Sequence, residues 1–299
     1  MNKQLIYCIF CILNSAWLSA QFILNQEGEA FGQKPFFNSE LIAADHIKQI
    51  AGFYTYKKGD EGFKPSSDRL EYNFNQKGQL ISSMEILNKG NLKDSSFHHY
   101  AYFENGQLQM HRYTAYGGAI SEHYLYDSIG RLISVALYRD QYDHHNDTLL
   151  SSIKMRTETL RYHLDSQANY TRYNNYQRPY LEVKISFDGH GLITEEQRYY
   201  RFVESAEVWR YTYNKTGLLS EKQLTKSEIT VPVERWRYDY DQWGNIIEMQ
   251  RFEEGIFKTE FQIVYDYKTG FLGSIIKKDN ASNQLSILRF TDYKHHPSH

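Results

Sequence analysis

Short runs of alternating aromatic and polar residues recur along most of this chain, and each run ends in turn-forming residues. In one run Trp236, Tyr238 and Tyr240 alternate with Arg235, Arg237 and Asp239. On a strand that alternation sends the rings to one face and the charges to the other. Trp209-Tyr211-Tyr213, Val183-Ile185-Phe187, Leu70-Tyr72-Phe74 and Phe261-Ile263-Tyr265 keep the same period of two at every other position. The common phrase is aromatic-x-aromatic-[Asp/Asn]-x-x-Gly-x-[Leu/Ile], which predicts a strand, a tight turn and a second strand.

The turn is legible in chemical terms. Asp or Asn at its first position accepts a hydrogen bond from the backbone two residues on. Gly three residues later supplies the positive φ needed to enter the next strand. That combination predicts a type I turn with a glycine bulge closing a hairpin. Asn75, Asp127, Asp165, Asp188, Asn214 and Asp241 take the first position, and Glu104 or Asn105 substitutes in the second copy. Marked by the glycine, the copies fall at Gly78, Gly106, Gly130, Ala168, Gly191, Gly217, Gly244 and Gly270, with intervals of 28, 24, 38, 23, 26, 27 and 26. A regular spacing of this kind marks a repeat architecture. The long interval predicts an insertion within Arg139–Thr159. At Ala168, either Asn169 takes the left-handed position or the turn is remodelled. The last copy carries one extra residue between Asp266 and Gly270.

Before the repeats the period changes. Leu41, Ala44, Ile47 and Ile50 fall three apart, which predicts a helix over Glu40–Ile50 capped by Asn38 or Ser39. A strand over Ala51–Lys57 follows. The expected fold is therefore all-β: an antiparallel meander of about eight β-hairpins forming a curled sheet, with a short N-terminal helix. The helix is expected to cap the open end or to cover part of the aromatic face. The expected divisions are a leader over 1–20, a helix–strand lead over 21–62, the hairpin array over 63–294 with its insertion at 139–159, and a disordered tail over 295–299.

The leader reading rests on Lys3, the apolar run Leu5–Leu13 and the small residues up to Ala20, the order of a secretory signal. The run is too short for a span of roughly 20 residues. Both cysteines, Cys8 and Cys11, lie in that segment, so the mature chain is expected to hold no thiol or disulfide. The formal net charge of −2 gives no basic footprint for nucleic acid. Export to the periplasm, outer-membrane surface or extracellular space is the expected location.

Tyr126-Asp127-Ser128-Ile129-Gly130-Arg131-Leu132 resembles the Tyr-Asp-x-x-Gly-Arg-Leu motif of the YD-repeat proteins, the tyrosine–aspartate arrays of bacterial rearrangement-hot-spot proteins. Related forms run from about Leu70 to Leu272. Tyr102-Phe103-Glu104-Asn105-Gly106-Gln107-Leu108 is similar to MORN-type repeats. The resemblance implies a hairpin array with a surface or binding role, and neither a toxin domain nor its core region is matched.

Candidate chemistry is sparse. Asp140, Asp143, His144, His145 and Asp147 are acceptable ligand types without zinc spacing, and His98 and His99, adjacent on a strand, point to opposite faces. Asp239–Gly244 carries Trp243 where a calcium loop needs oxygen. Ser151-Ser152-Ile153-Lys154 lacks the companion motifs of a serine–lysine enzyme. The adjacent carboxylates Glu195-Glu196 and Glu253-Glu254 cannot form a pair. No catalytic, cofactor or metal residue is assigned, and no cofactor is expected. Possible ligand contacts are Trp209, Trp236, Trp243, Tyr142, His144 and His145, because Trp and Tyr stack on sugar rings or form interfaces. The expected function is a non-catalytic envelope or surface protein binding a protein or glycan. The alternatives are a structural adaptor of a secretion or toxin-associated system, or a glycan-active enzyme with dispersed carboxylates.

Overall fold

The computed structural model describes residues 21–89, 92–115, 118–143, 148–164, 166, 168–227 and 231–297, so the leader lies outside the described residues. One short helix, α1 (Ser39–Ala44), precedes eighteen strands. These are β1 (Ile47–Lys58), β2 (Lys64–Phe74), β3 (Leu80–Lys89), β4 (Leu92–Tyr102), β5 (Leu108–Ala115) and β6 (Gly118–Tyr126). Then come β7 (Leu132–Asp143), β8 (Thr148–Tyr162), β9 (Tyr170–Tyr173), β10 (Pro179–Phe187), β11 (Ile193–Tyr200) and β12 (Ser205–Tyr213). The last six are β13 (Leu219–Lys226), β14 (Glu234–Tyr240), β15 (Ile246–Glu253), β16 (Ile256–Tyr265), β17 (Leu272–Asp279) and β18 (Gln284–His295).

All eighteen belong to one sheet, and the chain is an antiparallel all-β meander as expected. The expected open, curled sheet of about eight hairpins is corrected. β1 pairs with β2 on one side and with β18 on the other, so the strand order closes on itself, which is how barrels do away with edge strands. Two compact units divide the chain: Met1–Leu80 with Thr212–Lys222 and Glu234–His299, and Ile81–Tyr211 with Gln223–Val233.

The turn chemistry holds. Asn75, Asp127, Asp188, Asn214 and Asp241 each accept from the amides two and four residues on through one side-chain oxygen. Gly78, Gly130, Gly191, Gly217 and Gly244 have φ between +72° and +86°. In the second copy Phe103 takes the first turn position and Asn105 caps only the Gln107 amide. The Ala168 turn is remodelled: Asn169 does not have positive φ, and Ser166 Oγ caps the Ala168 and Asn169 amides. Asp165 lies outside the described residues. A further copy carries no turn glycine: Asn174 caps the Tyr176 and Arg178 amides while Gln177, at φ +57°, stands where the others have glycine.

The phrase also binds one copy to the next. The hydroxyl of a tyrosine near the end of a strand donates to the carbonyl of the Leu or Ile that ends an earlier copy. Tyr126 reaches Leu108 and Tyr162 reaches Leu132. Tyr240 reaches Leu219, Tyr265 reaches Ile246 and Tyr293 reaches Leu272, at 2.6–3.1 Å. Leu219, Ile246 and Leu272 are themselves fully buried.

In the first unit the core forms where the N-terminal segment lies against the aromatic face. Phe22 meets Phe37 and Phe271, and Phe37 packs edge-on to Tyr72 and Phe74. The Phe22 amide donates to Asn245 Oδ1, and Asn25 Nδ2 donates to the Tyr240 hydroxyl. Cover of the aromatic face therefore comes mainly from residues 21–38 rather than from a long helix. The expected helix over Glu40–Ile50 stops at Ala44, with Asn38 as its cap; His46 takes φ +54°. Ile47 and Ile50, which read as a helical face, are buried instead by pairing with β18 and β2. The described residues of the insertion lengthen the paired arms β7 and β8. His295 ends β18 and bonds the Asp45 carbonyl, and His296 bonds the Phe74 carbonyl, so these two residues are not the disordered tail expected of them.

Candidate functional site

The residues singled out from the sequence do not meet at one place. Trp243 stands exposed at the Asp241 turn, whose Asp is engaged in turn hydrogen bonds rather than waiting for an ion. Trp209, half-buried on β12 in the second unit, faces Glu196 across the ladder. The backbone of Tyr142 is in β7, while its side chain and all of His144 and His145 lie outside the described residues. Ser151 and Ser152 bond Gln141 and Asp140 rather than a lysine.

Trp236 has the most developed surroundings. Its indole N–H donates to Glu234 Oε1 at 2.5 Å, Arg251 lies over its ring at 5.6 Å, and Phe261 stacks beside it at 6.3 Å and 27°. Lys277 lies 5.6 Å from the Phe261 centroid. On β1, Tyr54 and Tyr56 stack at 5.8 Å and 4°, and the Tyr56 hydroxyl donates to buried Asp68 at 2.8 Å. Residue pairing sets Trp236 opposite Arg251 and, two residues along on the same face, Phe261 opposite Lys277. Tyr238, two residues along β14, is buried near Gly28 of the N-terminal segment. Trp236, Phe261, Tyr54 and Tyr56 stay half-buried. They form an aromatic surface edged with cations, and its rings and charges are fixed by their own neighbours. The opposite face of β14–β17 carries Arg237, Asp239, Glu248, Gln250, Glu260 and Gln262.

In the second unit the same face is dominated by ionisable groups. Glu158 accepts from Tyr180 at 2.7 Å and Arg172 at 3.4 Å. Arg198 pairs with Glu196 at 2.6 Å, and Glu207 takes Tyr200 and Lys226. Toward β4–β6, His98 and His111 share a 2.9 Å nitrogen–nitrogen contact, with Glu122 and Tyr124 beside them. Burial pushes the Tyr100 phenol up to about 12. The pairing of His98 with His111 was invisible from sequence, where only the His98-His99 doublet stood out. A sheet register is needed to bring β5 beside β4.

On the reverse face of β5–β8 a serine, a histidine and an aspartate also meet. Ser121 Oγ lies 3.3 Å from His123 Nε2. Asp140, wholly buried, is held by Arg112 Nε at 2.9 Å and Ser152 Oγ at 2.6 Å. Burial raises the Asp140 carboxyl, but hydrogen bonds from Ser152, Ser121 and Arg112, with the Arg112 charge, outweigh it and hold it below the usual carboxylate value. A nucleophilic triad needs the carboxylate on the far histidine nitrogen and an accessible hydroxyl. Here the carboxylate holds hydroxyls and an arginine, and Ser121 is fully buried. The arrangement is that of a satisfied polar anchor. Among the described residues no three His, Cys, Asp or Glu side chains converge as metal ligands, and no helix is long and apolar enough to cross a membrane.

No protein-family model matches the chain, and no curated protein matches it. Several solved structures resemble it. A porin-like protein from Bacteroides uniformis is 10% identical with a TM-score of 0.39, covering 83% of this chain and 98% of that one. A LolA superfamily protein from Nitrosomonas europaea is 13% identical at 0.22, covering 87% and 93%. A chain of the Photorhabdus luminescens Tc holotoxin pore is 11% identical at 0.22, covering 74% of this chain but only 19% of its own length. At these TM-scores the likenesses carry no argument about function. The expected membership of the YD-repeat or MORN-type arrays is corrected: no family model supports it, and the strand order closes on itself through β1 and β18. The Tyr-Asp-x-x-Gly phrase reports a local hairpin device.

Proposed function

We propose that the chain is an exported, non-catalytic binding protein of the bacterial cell envelope that holds a glycan on the aromatic face of its first unit. The carrying observation is the half-buried Trp236, pinned by Glu234 and Arg251 and flanked by Phe261. Aromatic rings held in place present flat apolar surface at little entropic cost, and cations at their rim meet hydroxyl and carboxylate groups. The secretory-type leader supports export. A non-catalytic role is supported by the carboxylates of the second unit, whose oxygens are committed to Arg and Tyr partners.

A glycan array probed with the mature chain tests the reading. Retention of at least one glycan class is expected, with binding weakened tenfold or more by Trp236→Ala and unchanged by Trp243→Ala. Failure of the wild-type chain to retain any glycan, or equal loss in both variants, would sink it.

A further inference from the structure

The histidine pair of the second unit has a geometry that neither packing nor metal binding explains. His98 Nδ1 and His111 Nε2 are 2.9 Å apart, the ring planes lie within 11°, and the centroids are 5.2 Å apart. That centroid separation is the nitrogen–nitrogen distance plus the two ring radii, so the rings lie nearly edge to edge with their nitrogens on the line between centres. Two imidazoles on a tetrahedral metal at roughly 2.1 Å would hold their nitrogens about 3.4 Å apart, with lone pairs converging at an angle. Nitrogens that face each other directly share a proton.

We propose that His98 and His111 form an acid-operated latch, holding β4, β5 and β6 together through one shared proton and releasing them when a second proton arrives. In the closed state one nitrogen donates and the other accepts. When both rings are imidazolium no acceptor is left between them, and two like charges face each other across one hydrogen bond.

The neighbours fix the closed state. The other ring nitrogen of His111, Nδ1, lies 3.9 Å from Glu122 Oε2, and Tyr124 donates to that same oxygen at 2.6 Å. Tyr100 stacks on His111 at 4.8 Å and 3°, and Tyr113 lies 5.3 Å away. From β3, Ser83 stands opposite His98, and Glu85 lies two residues along on the same face. Arg156 of β8 acts on Glu122 and Tyr113, and His99 acts on His98 from the next position. Glu122 is held below the usual carboxylate range, first by the neighbouring His111 ring. His111 itself is almost wholly buried. Burial first, then the charges of His111 and His99, lowers the His98 value in the folded chain. The unfolded chain therefore binds the proton at higher pH. The latch's stabilisation is full above the ordinary histidine value of about 6.5 and is lost as pH falls below it toward the lowered folded value.

Imidazole nitrogen NMR and amide hydrogen exchange on the mature chain, from pH 8 to pH 5, test this. One hydrogen-bonded proton between His98 and His111 at pH 8 is expected. Exchange of β4–β6 amides, corrected for intrinsic rate, should rise tenfold or more on acidification. His98→Phe keeps a flat ring at the position but removes the nitrogen, and should abolish that rise. If it fails to fold, Glu122→Gln removes the negative charge beside the pair and should move the onset to lower pH. Independent titration of both rings at the ordinary value would overturn the latch. So would an acid response unchanged in whichever variant folds, or stoichiometric binding of added zinc at the pair.

Discussion

Two glycines at the same turn position give a controlled measurement of how firmly α1 is docked. Gly78 and Gly191 have φ of +72° and +83°, and a Cβ at Gly191 would meet nothing within 4 Å. A Cβ at Gly78 would lie 1.9 Å from the Ser39 carbonyl oxygen and 2.7 Å from the Ala43 amide nitrogen. Gly191→Ala therefore carries only left-handed strain of roughly 1–2 kcal/mol, offset by about 0.4–1 kcal/mol from a less flexible unfolded chain. Its net cost is about 0–1.6 kcal/mol. Gly78→Ala carries the same cost and also drives α1 off the β2–β3 turn. Re-exposing Ile42, which is fully buried, costs about 1.5–3 kcal/mol, and disturbing the Asn38 cap about 1 kcal/mol. The total is about 2.5–5.5 kcal/mol. Urea denaturation of both variants reads the difference. Hydrogen exchange at the Ile42 amide, which donates to the Asn38 carbonyl at 3.0 Å, reports the helix directly. Equal destabilisation in the two variants, or undisturbed Ile42 protection in Gly78→Ala, would refute the reasoning.

Three further outcomes follow from the turns and the tyrosine bridges. Gln177→Gly relieves the left-handed strain at φ +57° and should stabilise the chain by up to about 1 kcal/mol in thermal unfolding; a loss would give the Arg161–Gln177 bond the larger weight. Tyr265→Phe leaves the carbonyl of buried Ile246 without its hydroxyl and should cost about 1–3 kcal/mol in urea. Burial raises Tyr240 to about 12 and pushes Tyr265 and Tyr293 higher still. The folded chain thus keeps protons that the unfolded chain gives up, so stability should fall as pH rises past the ordinary phenol value of about 10. Alkaline difference spectroscopy should show these phenols ionising only with unfolding, and the alkaline loss should be smaller in Tyr265→Phe.

Strands, turns and the aromatic face were legible because the forces behind them act within a few residues. Asp127 caps amides two and four positions away, and the alternation of Trp236, Tyr238 and Tyr240 needs only the pleat. The sequence also marked Trp236 as a candidate contact, though not its pinning by Glu234 and Arg251. Closure of the strand order needed β1 to find β18, which joins residues nearly the whole chain apart. The same contact overruled the helical period at Ile47 and Ile50. The tyrosine hydroxyls bridging 18 to 30 residues, the cover supplied by Phe22 and the His98–His111 pair depended on register in the same way. Local hydrogen bonding and side-chain period are written along the sequence itself, and these pairings are not. They exist only after loop closure has brought distant strands together, and no short phrase in the sequence encodes that step.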